Sequence, residues 1–353
     1  MAYVSLASDY QEGCHPAVMA KLAERAASQN AGYGADDACT RARELIREAC
    51  ACPEADVHFL VGGTQTNMVV IDALLAPWEG VVAAESGHVS VHEAGAIERG
   101  GHKVIELDGK LGKLSAAQVR GAAASWANDG NRDHMVQPGM VYLSQPTEYG
   151  TLYSRSELEE MRGVCDEFGM RLYVDGARLA YALACDANDV GLSDLARLCD
   201  AFYIGGTKCG ALLGEAVVFP DPATCPRFFT VMKQHGALLA KGVVLGAQFE
   251  ALFEDGLYSR IGRPAVEAAD RMRELFAQAG LRLAFESPTN QVLVELSDEE
   301  AERLAEHVGY SFWERPREGR VLVRLAASWA TTGEQVDMLA DAIADVEASV
   351  GRA

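Results

Sequence analysis

An acid and a lysine stand just beyond two short β-type runs. The first run, Leu172-Tyr173-Val174-Asp175, turns through Gly176-Ala177-Arg178; the second, Tyr203-Ile204-Gly205, turns through Gly206-Thr207-Lys208-Cys209-Gly210. Pyridoxal phosphate chemistry needs that pairing. An acid at the end of one strand keeps the cofactor's pyridine nitrogen protonated, and a lysine after a neighbouring strand holds its aldehyde as a Schiff base. The spacing of Asp175 and Lys208 fits a strand, a helical crossover and a second parallel strand. At Gly62-Gly63-Thr64-Gln65 a glycine turn opens an apolar helix. The free N–H groups and dipole of a helix start suit an anion, so Gly63, Thr64 and Gln65 form a candidate phosphate cradle. No complete G-x-G-x-x-G or Walker motif occurs, and Gly32-Tyr33-Gly34-Ala35-Asp36-Asp37 lacks the third glycine, which argues against a nicotinamide or ATP enzyme.

These loops need a large scaffold. At 353 residues the chain exceeds one ordinary compact domain, and two are expected. Its net charge of −20 disfavours nucleic acid and anionic membranes as partners, because phosphate binding needs clustered Lys and Arg. The nine cysteines include no Cys-x-x-Cys pair and no zinc-like His/Cys cluster, so reduced thiols and no metal are expected. The first twenty residues do not read as a signal peptide, and the best apolar run, Gly236 to Phe249, is short and carries Lys241. A cytoplasmic enzyme is the expectation.

Val57 to Val61 reads as a strand followed by a glycine turn and a helix from Gln65 to Leu75. Met140 to Leu143 reads as a strand, and Ser154-x-x-Glu157 is a capping box for a helix that Gly169 closes. Met170 to Val174, Ala201 to Ile204 and Glu215 to Phe219 follow as strands, the last two forming a candidate hairpin around Lys208. Strands alternating with helices imply a mostly parallel sheet covered on both faces. Further on come a helix from Arg260 to Ala279, strands Val292 to Leu296 and Val321 to Leu325, and a second capping box at Ser297-x-x-Glu300. A last helix starting at Thr331-x-x-Glu334 places Val336, Leu339, Ile343 and Val346 on one face. The fold expected is α/β, with a large domain over residues 1–247 and a small α+β domain over 248–353.

The blocks SLASDYQEGCHPAV, GHVSVHEAGAIE, VDGARLAYAL and GGTKCGALLGEAVVF closely resemble the threonine aldolase / aromatic amino acid β-eliminating lyase family, whose members are fold-type-I pyridoxal phosphate enzymes. TEYGTLYS and the Cys-Gly after Lys208 are more similar to its phenylserine-aldolase branch. The resemblance runs in order from Ser8 to Arg324. It implies that Lys208, with Thr207 beside it, anchors the cofactor and that Asp175 partners the ring nitrogen. It also implies that the His88 imidazole stacks on the ring and reaches toward the substrate hydroxyl, while His92 and Glu93 fix that loop.

By the same resemblance Arg178 contacts the cofactor's ring hydroxyl or the substrate carboxylate, and Arg324 clamps that carboxylate. Ser8, Tyr33 and the stretch Gln234 to Lys241 fall near the cofactor, with Lys241 reaching the phosphate of a neighbouring subunit's site, so a homodimer or homotetramer with shared sites is implied. Glu148 departs from the family, which usually has a histidine there; glutamate transfers protons if burial raises its pKa. The activity implied is aldol-type cleavage of a β-hydroxy-α-amino acid to glycine and an aldehyde. The alternatives are β-elimination or racemisation at the same site, or a non-catalytic pyridoxal-phosphate-binding regulator. Against the last, no basic helix-turn-helix precedes Ser8.

Overall fold

The computed structural model describes residues 3–350. After the short strand β1 (Val4–Ser5), seven strands build the main sheet: β2 (Asp56–Leu60), β3 (Glu79–Ala84), β4 (Val104–Leu107), β5 (Gln137–Ser144), β6 (Arg171–Asp175), β7 (Ala201–Gly205) and β8 (Glu215–Phe219). Their order is β2-β8-β7-β6-β5-β3-β4. β4, β3, β5, β6 and β7 pair in parallel, whereas β8 runs antiparallel to both β7 and β2. The expected hairpin is therefore present, and β8 is the one reversed strand of the sheet. β6 to β8 read as near-continuous apolar runs because both faces are covered; Val174, Phe202, Ile204 and Val218 face one core and Tyr173, Tyr203 and Val217 the other.

The second sheet collects β9 (Arg282–Leu283), β10 (Gln291–Ser297), β12 (Ser311–Arg317) and β13 (Arg320–Ala326) in the antiparallel order β12-β13-β10-β9. Between them β11 (Val308–Gly309) pairs in parallel with β1, so Val4 and Ser5 lie against the C-terminal part. The expected division at 247/248 falls inside the helix Val243–Phe253. That helix is buried along most of its length and packs against the helix Asp37–Ala49.

The capping boxes Ser154/Glu157 and Ser297/Glu300 are formed, and Gly169 ends its helix in the left-handed region at φ 67°. Two boundaries shift. The long helix is Arg263–Gln278, not Arg260 to Ala279, because Pro264 lacks an N–H and belongs in a first turn. The final helix, Gly333–Val350, has its reciprocal cap one residue later than expected: Thr332 N donates to Gln335 Oε1 and Gln335 N to Thr332 Oγ1. Val336, Leu339, Ile343 and Val346 are all buried.

Candidate active site

Parallel strands bring their C-terminal ends to one edge of a sheet, where loops converge on a crevice. The loops after β2, β3, β5, β6 and β7 deliver Gly62 to Thr64, His88, Ser144 to Glu148, Asp175 to Arg178 and Thr207 to Lys208 to a single cavity of about 320 Å³. Tyr10 from the N-terminal segment and Glu215 at the start of the reversed β8 complete the lining. The loops carrying the acid and the lysine touch through glycine. A Cβ at Gly176 would lie 2.1 Å from Tyr203 O, and one at Gly205 would lie 2.4 Å from Ala177 O. Any larger residue at either position would push Asp175 and Lys208 apart.

Asp175 is buried, and its Oδ2 accepts from Tyr142 Oη at 2.6 Å and Asn67 Nδ2 at 3.0 Å, while Oδ1 accepts from Ala177 N at 2.9 Å. Burial pushes its pKa up, but the His88 charge and the Tyr142, Tyr203 and Asn67 donors outweigh that and hold it below the usual carboxylate value. Lys208 is half-buried and joins no salt bridge among the described residues. Burial first, and then the Arg178 charge, lower its pKa, which favours the free amine as a nucleophile. The helix Gly63–Leu74 starts without a side-chain cap, leaving the N–H groups of its first turn for a ligand.

A closed ring of hydrogen bonds ties the remaining groups together. His88 Nδ1 lies 2.7 Å from Glu93 Oε1, Asn67 Nδ2 donates to the same oxygen at 2.7 Å and to Asp175, and Tyr142 donates to Asp175. Ser144 Oγ sits 3.3 Å from Tyr142 Oη and donates to Glu148 Oε1 at 2.7 Å, and the His88 backbone N–H donates to that oxygen at 2.9 Å. Burial raises the Glu148 pKa despite these donors, which makes its carboxylate a stronger base than an ordinary one.

The two arginines differ. Arg178 is locked to Asp9, Nε to Oδ2 at 2.6 Å and Nη2 to Oδ1 at 3.0 Å, in a buried fork. Arg324 has no carboxylate partner among the described residues. It touches Gln291 Oε1 at 3.3 Å, lies over the Trp313 ring, and keeps a buried Nε without a partner. Burial and the nearby Arg178 charge lower its pKa to about 10, against the pull of Asp9 and Tyr10. It lines a second cavity with Tyr149 and Trp313, which His92 shares with the first. Arg324→Ala is therefore expected to raise the KM of an amino-acid substrate about 100-fold, the worth of a bidentate charge-assisted contact, and to change cofactor affinity less than about threefold. Equal losses of both would assign Arg324 to the cofactor.

Asp9 carries a stability prediction. Burial pushes its carboxyl up, but the Arg178 and Lys208 charges and the Arg178 and Asn290 hydrogen bonds hold it at about 2 against an ordinary 3.8. A depressed carboxylate stabilises the fold fully above its unfolded pKa and loses that contribution as pH falls through the folded value; the difference here is about 2 kcal/mol. Asp9→Asn strands a buried guanidinium and should cost about 3 kcal/mol or more at pH 7 in denaturant unfolding. The gap between wild type and variant should shrink from pH 4 toward pH 2; a gap independent of pH would contradict the assignment.

Of the residues singled out in the sequence, Gly63, Thr64, His88, Glu148, Asp175, Arg178, Thr207 and Lys208 share this cavity. Gln65 instead turns its side chain back, Oε1 accepting from Val61 N at 3.4 Å, and so fixes the turn. Ser8 and Asp9 are buried and do not line the cavity, though Asp9 holds Arg178, which does, and Tyr10 lines it. Tyr33, under the Lys233 ammonium, and Lys241 line two other surface pockets, so neither reaches the Lys208 cavity of its own chain.

Asp9, Asn67, Tyr142, Ser144, Tyr203 and Glu215 went unnoticed in the sequence. One left a signal: Glu215 opens a fully buried strand, whereas Asn67 merely ends the polar start of its helix. Glu215 Oε2 accepts from Gly206 N at 2.9 Å, and burial lifts its pKa to about 7 against the pull of Thr207, Gly206 and Lys208.

An uncapped helix start for a phosphate, a buried carboxylate held ionised and an unpaired amine, all on one cavity, fit pyridoxal phosphate. Fold and site together define a fold-type-I pyridoxal phosphate enzyme. The fold is shared with aspartate aminotransferase of Thermus thermophilus, at a TM-score of 0.72 and 19% identity over 98% of this chain and 92% of that one. Residues 5–299 match the Beta-eliminating lyase family, and the chain belongs to it. It is similar to a threonine aldolase of Leishmania major, at a TM-score of 0.94 and 40% identity over 98% of this chain and 99% of that one. A low specificity L-threonine aldolase of Pseudomonas aeruginosa is 32% identical, covering 95% of both chains.

Proposed function

We propose that this protein is a pyridoxal-phosphate-dependent lyase that cleaves the Cα–Cβ bond of β-hydroxy-α-amino acids, releasing glycine and an aldehyde. The observation that carries the reading is the buried Glu148 carboxylate beside His88 on the wall of the Asp175–Lys208 cavity, a base placed for a substrate hydroxyl. The relatives named as threonine aldolases support it.

Gly63 and Thr64 N–H groups would hold the phosphate, Asp175 the ring nitrogen and Lys208 the aldehyde carbon, with His88 on the ring. Bound there, pyridoxal phosphate supplies an electron sink for the pair left on Cα. Arg324 fixes the substrate carboxylate, and that orientation selects which Cα bond breaks. Glu148 removes the β-hydroxyl proton, with His88, oriented by Glu93, next to it. Lys208, as the free amine, carries protons to and from Cα.

Tyr33 and Lys241, outside their own chain's cavity, fit a homo-oligomer in which one subunit completes its neighbour's site. Nine free cysteines suit the reducing cytoplasm. Among the described residues no helix is long and apolar enough to cross a membrane.

Glu148→Gln should slow aldol cleavage by about 100-fold or more while sparing α-proton exchange of glycine, since only cleavage needs a base at the β-oxygen. Wild-type cleavage should rise with pH through the elevated Glu148 pKa, because only the carboxylate accepts a proton, and that limb should vanish in the variant. Equal slowing of both reactions would make Glu148 structural.

A further inference from the structure

We propose that Asn67 is a positioning residue whose single amide nitrogen clamps two carboxyl groups at once, the ring-nitrogen partner Asp175 and the imidazole-orienting Glu93, in one fixed geometry. The roles of Asp175 and His88 rest on the function proposed above. Asn67 is fully buried in the helix Gly63–Leu74, whose first turn forms the cradle, so one rigid element sets three features of the site.

Its hydrogen bonds determine its orientation. Nδ2 donates to Glu93 Oε1 at 2.7 Å and to Asp175 Oδ2 at 3.0 Å, and Oδ1 accepts from Tyr173 Oη at 2.9 Å. A carboxamide has two N–H protons, one for each carboxylate; flipping it would set its oxygen against both anions. Glu93 Oε1 also receives His88 Nδ1 at 2.7 Å, while Glu93 Oε2 is buried without a partner among the described residues. Among these residues the side chains serving Glu93 are therefore Asn67 and His88. With Nδ1 donating to the carboxylate, Nε2 is the imidazole nitrogen left to accept a proton.

A buried carboxylate that loses a hydrogen-bond donor becomes easier to protonate. The Asn67 hydrogen bond is among the contacts that lower the Asp175 pKa. Removing it should move Asp175 titration to higher pH and release the Glu93 hold on His88.

The test is a pH titration of the near-visible absorbance of the bound cofactor, without substrate, in wild type, Asn67→Leu and Tyr173→Phe holoenzymes, with melting temperatures alongside. Asn67→Leu keeps the branched shape and heavy-atom count but removes both donors. Its acid-side midpoint should rise by about one pH unit, and kcat should fall about 30-fold with KM changed less than about threefold. Tyr173→Phe removes only the hydroxyl that fixes the amide oxygen, and should shift the midpoint the same way by less. Should Asn67→Leu fail to fold, the Tyr173→Phe shift decides. A midpoint unmoved in the folded variants, whatever their melting temperatures, overturns the proposal. The spectrum reads the cofactor and not the products, so a shift without aldehyde production would contradict the aldol reading and leave the clamp standing.

Discussion

Lys208→Ala is expected to abolish the covalent link between protein and cofactor and to lower turnover by about 10³-fold or more. The lysine follows β7, whose Gly205 packs on the β6 loop, so its amine is set in the same cavity as Asp175. Burial and the Arg178 charge keep part of it as the nucleophilic free amine, which no other side chain lining that cavity can supply. Lys241 lines a different pocket. The fold should survive, because the contacts that hold this turn use backbone groups, among them Cys209 N donating to Gly206 O at 2.8 Å, Thr207 N to Gly214 O at 3.1 Å and Tyr181 Oη to Lys208 O at 2.5 Å. Borohydride reduction followed by mass spectrometry of the denatured protein checks the link. A reducible adduct in the variant would place the anchor elsewhere.

Asp175→Asn should retain cofactor yet lose about 10³-fold in turnover, since a neutral amide cannot keep the pyridine nitrogen protonated. The substitution also turns an acceptor into a partial donor facing Tyr142 Oη and Asn67 Nδ2, both of which donate to the carboxylate. The variant should therefore melt at a lower temperature, with the loss removed at pH values low enough to protonate the wild-type carboxyl. Steady-state kinetics at saturating cofactor separates turnover from binding. Activity within a few-fold of wild type would remove Asp175 from its role.

What was legible in the sequence was local. Asp175 and Lys208 sit at strand ends marked by glycine, the cradle is a glycine turn before a helix, and His88 and Glu93 share one short loop; each is written within a few residues. The alternation of strands and helices likewise gave the parallel sheet. Groups that act across the fold left little trace. Arg178 meets Asp9 across 169 positions and Asp175 meets Asn67 across 108, and no spacing announces such a pair. Tyr142, Tyr173 and Tyr203 look like core aromatics in apolar strands, which they are, and their hydroxyls are visible only once the sheet is assembled. Ser8 and Asp9 are both buried beside Tyr10, which lines the cavity, and the polar run does not reveal which of the three side chains turns toward it. Tyr33 and Lys241 lie on another face, so their link to the site depends on a second copy of the chain.

The central claim is the bond that breaks. Purified holoenzyme should be incubated with threonine, phenylserine, serine and a β-leaving-group amino acid such as β-chloroalanine, with aldehyde, glycine, ammonia and 2-oxo acid measured in the same samples. Aldehyde and glycine are expected in equal amounts from threonine or phenylserine, with both largely lost in Glu148→Gln. Ammonia and 2-oxo acid without any aldehyde would contradict that claim and make the enzyme a β-eliminating lyase in activity as well as in family.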